Sequence, residues 1–159
     1  MKKIILLLLI SAGLLSFNKP EKNTENEKLT EAQLNFVKEN YNWKSEEILI
    51  VNFKQPRRRC FYNNYQNLEK SSKWWGEFYS KMKLSNVRNI FVFSNKFNAR
   101  KIIDSKNSFP DIKKLFLKEF FSNDKTCLGV LVINRKGEFR KKAGEYLQKD
   151  IEELISQLK

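Results

Sequence analysis

The chain has 159 residues, enough for one domain with a core that needs no metal or disulfide staple. It carries 31 lysines and arginines against 18 acids and no histidine, a formal charge of +13. The missing histidine excludes Ser-His-Asp and Cys-His catalysis and removes the commonest zinc ligand, and no metal site or cofactor is expected.

Met1-Lys2-Lys3 is a positive start, and Ile4 to Ile10 with Leu14 and Leu15 make an apolar segment too short to span a bilayer comfortably. Residues 1–16 therefore read as a secretory signal peptide, with an uncleaved membrane anchor as the alternative. No cysteine near its end offers a lipid attachment point, so a soluble periplasmic or secreted protein with no stable membrane anchor is expected after cleavage. Loss of Lys2 and Lys3 leaves a mature charge of +11. Such a balance favours anionic partners, although no nucleic-acid motif accompanies it and a lysine-rich surface also serves solubility.

Residues 17–29 are polar and charged and read as a flexible linker, with a domain over 30–159. Thr30 and Gln33 have capping-box spacing, and Leu34, Phe36, Val37 and Tyr41 supply the apolar face of a short helix. Ile48 to Phe53 is a continuous apolar run with one asparagine, the pattern of a strand buried on both faces. It empties into Lys54-Gln55-Pro56-Arg57-Arg58-Arg59-Cys60.

Beyond Cys60, Phe61, Tyr65, Leu68, Ser72, Trp75, Tyr79 and Met82 recur at steps of four and three. That spacing predicts a helix over about 60–82 with an aromatic core stripe. Trp75 lies on the stripe; Trp74 lies beside it, which invites a stacking role, with burial the more ordinary reading. Val87 to Phe93 is a second strand. Ala99 to Asp104 fits either a helical turn or a short edge element. Pro110 in a first turn, with Ile112, Leu115, Phe116 and Phe120 following, predicts another helix. Gly129 to Ile133 is a buried strand, Asn134 to Gly137 a turn, and Glu138 to Lys142 its hairpin partner. Ile151, Leu154, Ile155 and Leu158 line a last helix with Asp150, Glu152 and Glu153 in its first turn.

A thiol at a helix amino terminus, next to Arg57, Arg58 and Arg59, is favoured as thiolate, so Cys60 is the candidate reactive residue. The three arginines are equally a candidate anion site or a solvated basic loop. Cys60 and Cys127 are the two cysteines of the chain, and in an exported protein two cysteines are commonly paired.

The order helix, then β-α-β-α-β-β-α, resembles the thioredoxin-like superfamily, particularly its exported bacterial members. Ile48 to Phe53 is similar to the family's central strand, and Gly129 to Phe139 to its closing hairpin with the turn glycine. The resemblance implies an α/β fold, a three-layer α/β/α sandwich with an amino-terminal helical extension. Where the family carries Cys-x-x-Cys, this chain has Arg57-Arg58-Arg59-Cys60, a degenerate motif that keeps the second cysteine. The family's cis-proline falls on Gly129, counted back from Gly137.

The resemblance further implies that the loop before the third strand lies against the active-site loop. Cys127 would then approach Cys60, and a disulfide between them would be worth about 4 kcal/mol on the chain-entropy model. Two functions follow as expectations. One is thiol-disulfide exchange on a protein thiol or disulfide, with Cys60 attacking, Cys127 resolving and the arginines tuning the thiolate. The other is a non-catalytic module whose basic loop holds an anionic partner.

Overall fold

The computed structural model describes residues 27–57, 60, 66–122 and 126–159. The proposed signal peptide, Arg58, Arg59 and the Phe61 and Tyr65 positions of the expected helix lie outside the described residues. A five-stranded mixed sheet forms the middle layer, in the order β3-β2-β1-β4-β5. These strands are β1 (Ile48–Lys54), β2 (Val87–Phe93), β3 (Ser108–Pro110), β4 (Leu128–Asn134) and β5 (Phe139–Ala143).

β1 runs parallel to β2 and antiparallel to β4, with Ile50 opposite both Asn89 and Val132. β2 runs parallel to β3, and β4 and β5 form the expected hairpin. Every residue of β1 and β4 is buried. Central position explains this, because layers cover both faces of the sheet and the β-branched side chains meet protein on either side.

Side-chain alternation along β1 divides the core. Leu49, Val51 and Phe53 join one cluster with Val37 of helix α1 (Glu31–Asn40), Tyr41 just after it, and Phe116 of helix α3 (Leu115–Glu119). Ile48 and Ile50 join the opposite cluster with Trp75 and Tyr79 of helix α2 (Leu68–Ser80) and Ile151 and Ile155 of helix α4 (Gln148–Ser156). The molecule is thus an α/β/α sandwich, and α1 is its amino-terminal helical extension. Among the described residues, no helix is long and apolar enough to cross a membrane.

Local chemistry accounts for the ends. The Thr30 side chain accepts from the Gln33 N–H at 3.2 Å, and the Gln33 side chain accepts from the Thr30 N–H at 3.0 Å, closing the capping box. At the β4–β5 turn Asn134 Oδ1 accepts from the backbone of both Lys136 and Glu138, while its amide donates to Glu138 Oε2 and to the Leu158 carbonyl. Gly137 closes that turn at φ +84°. Asp150 accepts from the Leu147 N–H at 2.7 Å and pairs with Lys142 at 2.8 Å. The Lys142 bond holds its carboxyl below the usual aspartate range.

Three expectations need correction. The linker is not free to residue 29: the Leu29 N–H donates to Gly137 O, the Phe139 N–H donates to Glu27 O, and Leu29 is buried. The hairpin edge would otherwise leave these backbone groups unpaired, and the chain from Glu27 fills them. Pro110 does not open a helix. It ends β3 opposite Phe93, where its missing N–H costs an edge strand little. Asp111 then accepts from the N–H groups of Phe116 and Leu117 at 3.0 and 2.9 Å, so α3 starts later and is short.

The third correction concerns α2, which begins at Leu68 after Asn67, not near Cys60. Leu68, Trp75 and Tyr79 of the expected stripe are buried; Met82 packs against the cluster of Trp75 and Tyr79, while Leu68 joins Phe93 and Ala99. Ala99 to Ile103 is a turn, with the Ile102 and Ile103 N–H groups both donating to Ala99 O; the edge strand comes later, at β3.

Candidate functional site

The loop leaving β1 and the segment entering β4 meet at one end of the sheet. Antiparallel pairing puts Lys54 opposite Leu128, and the Gln55 N–H extends the ladder by donating to Cys127 O at 2.9 Å. Cys60 and Cys127 are joined as a disulfide there, with Cα atoms 5.9 Å apart across 67 residues of sequence. The strand order helps to explain the position, since β1 and β4 are neighbours, Cys127 directly precedes β4 and Cys60 lies six residues beyond β1.

Two hydrogen bonds join Arg57 and Cys60. The Cys60 N–H donates to Arg57 O at 2.9 Å, and the Arg57 N–H donates to Cys60 Sγ at 3.3 Å. Cys60 is buried and Cys127 half-buried. The helix described on that side starts at Leu68, so no described helix places its dipole at Cys60. A backbone N–H on the sulfur is the local feature that favours thiolate instead.

Arg57 is half-buried, and its guanidinium donates to Gln55 Oε1 at 2.7 Å. Arg58 and Arg59 lie outside the described residues. Gly129, the expected cis-proline position, sits inside β4 opposite Phe53, and none of the described peptide bonds is cis. Its lack of a side chain has a steric reason: a Cβ there would lie 2.4 Å from Cε1 of Phe121, whose ring stacks on Phe53 at 4.7 Å.

Two buried polar residues near this end escaped the reading of the sequence. Asn52 points from the middle of β1 to the α2–α4 side. Its Oδ1 accepts from the hydroxyls of Tyr79 and Tyr146, both at 2.6 Å. Its amide donates to Asn89 Oδ1 at 2.7 Å and Ile90 O at 2.9 Å, so its polar atoms are satisfied. Burial pushes both phenols above the usual tyrosine range.

Lys54, two residues on and on the same face, is 2% exposed, and its Nζ has no hydrogen-bond partner among the described residues. The nitrogen stands 3.4 Å above the Trp75 ring centroid, with Tyr146 at 5.7 Å and Phe91 at 5.9 Å. Ring faces favour the ammonium by about 2 kcal/mol when desolvated, whereas full burial of a lysine costs up to about 3–5 pKa units. Burial wins, and it holds the amine well below the usual lysine range. A lone polar letter in an apolar strand was the available signal for both residues.

Trp75 is buried in this cage, while Trp74 is 54% exposed and meets Trp75 edge-on. Trp74, Phe78, Tyr146 and the exposed Leu147 line a shallow groove between α2 and α4.

No known family model matches the chain, and no curated protein matches it. A similar solved structure is the solution structure of a candidate thioredoxin from Neisseria meningitidis. It is 16% identical over 81% of this chain and 79% of its own, with a TM-score of 0.45. The fold assignment rests on this chain's own strand order and layers.

Proposed function

We propose that the chain is an exported thioredoxin-like protein that performs thiol-disulfide exchange through Cys60 and Cys127. The observation that carries this reading is the disulfide at the sheet end, with a backbone donor on the Cys60 sulfur and Cys127 a half-buried residue. Open α/β sheets commonly place chemistry beyond the carboxyl ends of their strands, and Cys60 follows β1 in that way. The pair replaces the degenerate Arg57-Arg58-Arg59-Cys60 motif as the two-sulfur unit, spanning two loops instead of one. Its substrate class is a protein thiol or disulfide outside the cytoplasm, where pairing of this kind persists.

Insulin reduction in the presence of dithiothreitol tests it. The wild-type mature chain should accelerate precipitation above the dithiothreitol blank, and Cys60→Ser and Cys127→Ser should each return to the blank. A wild type no faster than the blank refutes exchange activity.

The second reading, a binding module holding an anionic partner on the Arg57–Arg59 loop, draws support from the charge of +13. Salt-sensitive binding to a polyanion, weakened by replacing Arg57, Arg58 and Arg59 and unaffected by reductant, would favour it.

A further inference from the structure

A disulfide offers two sulfurs to an incoming thiolate, and here the two have unlike surroundings. Cys60 is buried at 3% exposure, inside a turn of its own backbone. The Arg57 N–H that donates to its sulfur would hold a thiolate there at least as well as it holds the disulfide. Cys127 is half-buried, and among the described residues no group donates to its sulfur. Exchange favours attack on the reachable sulfur and departure of the better-stabilised thiolate. Both preferences select the same direction.

We propose that the incoming thiolate enters at Cys127 and that Cys60 is the leaving sulfur. This inference rests on the exchange activity proposed above and reverses the roles expected from sequence. In the first step a substrate thiolate gives its electron pair to Cys127 Sγ. The Cys60–Cys127 bond breaks, and its electron pair stays on Cys60 as thiolate. In the second step another thiolate of the same substrate attacks the substrate sulfur of the mixed disulfide. Cys127 departs as thiolate, the substrate keeps a new disulfide, and two electrons have passed to the cysteine pair. The two substrate protons go to solvent, from which the cysteines take up protons as their pKa values require. In the opposite direction Cys127 attacks a substrate disulfide and Cys60 resolves the intermediate.

The test uses the wild-type mature chain, oxidised and folded, exposed briefly to reduced glutathione and quenched with N-ethylmaleimide. The maleimide caps whichever sulfur is freed, and peptide mass spectrometry locates the glutathione. Adducts on Cys127 with maleimide on Cys60 should exceed the converse by about tenfold or more, given the combined access and leaving-group preferences. Glutathione mainly on Cys60, or equally on both, overturns the entry at Cys127 while leaving exchange activity standing. A disulfide that glutathione opens only after denaturant is added overturns both.

Discussion

Lys54 is the residue whose charge and surroundings agree least. The unfolded chain binds a proton there at neutral pH, and the folded chain binds it less, since burial depresses the folded pKa. Stability must then rise with pH, from the folded pKa up to the ordinary lysine value, by at most about 1.4 kcal/mol per pH unit. Denaturant midpoints between pH 7 and 9.5 should climb in the wild type and climb less in Lys54→Met. At pH 7 that variant should be more stable by about 1–4 kcal/mol, as when a buried charge gives way to an apolar side chain of similar volume. A Lys54→Met protein that is less stable at pH 7 would show that the ring faces outweigh burial. Asn52 is the opposite case, because all four of its contacts are satisfied. Asn52→Leu removes the acceptor shared by the Tyr79 and Tyr146 hydroxyls and the donor to Asn89 Oδ1, and should cost about 3 kcal/mol in urea unfolding. Neither environment was legible in the sequence. The cage and the hydroxyls come from Trp75, Tyr79 and Tyr146, which only the folded packing of α2 and α4 brings over β1.

Among the elements, the strands were the readable part and the helix starts were not. Ile48 to Phe53 and Gly129 to Ile133 announce themselves because both faces of a central strand must be apolar. The start of α3 gave no such sign. Lys113 and Lys114 adopt φ of 55° and 56°, a left-handed pair that lysine does not signal, and Asp111 caps the helix from beyond them. Burial raises the Asp111 carboxyl above its usual range despite those two bonds. Asp111→Ala should therefore lower stability by about 1–2 kcal/mol, the scale of a lost helix cap, read from the urea midpoint. Gly129 is held to glycine by Phe121. Gly129→Ala should cost about 1–3 kcal/mol through overpacking, and the loss should shrink in a Phe121→Leu background. An unchanged loss there would place the clash elsewhere.

For the whole molecule, the disulfide joins the two central strands at their shared end and closes a loop of 67 residues. On the chain-entropy model that bond adds about 4 kcal/mol, so the reduced protein should unfold at lower urea by that amount, less any relaxation. The sequence placed the two cysteines near one another only through the thioredoxin-like order of elements. The side of the sheet, the burial of Cys60 and the N–H on its sulfur depend on how the loop folds. The described α2 begins only at Leu68, so no described helix start stands at Cys60. A stabilising bond can still be an exchanging one if the folded protein admits a thiolate to one of its sulfurs. Redox titration of the folded chain in glutathione buffers, with thiols counted by maleimide mass shift, decides this directly. The account predicts a reversible two-electron transition between disulfide and dithiol while the far-ultraviolet circular dichroism of the sheet and helices persists. A disulfide that stays closed throughout those buffers, and opens only where the circular dichroism collapses, would contradict it.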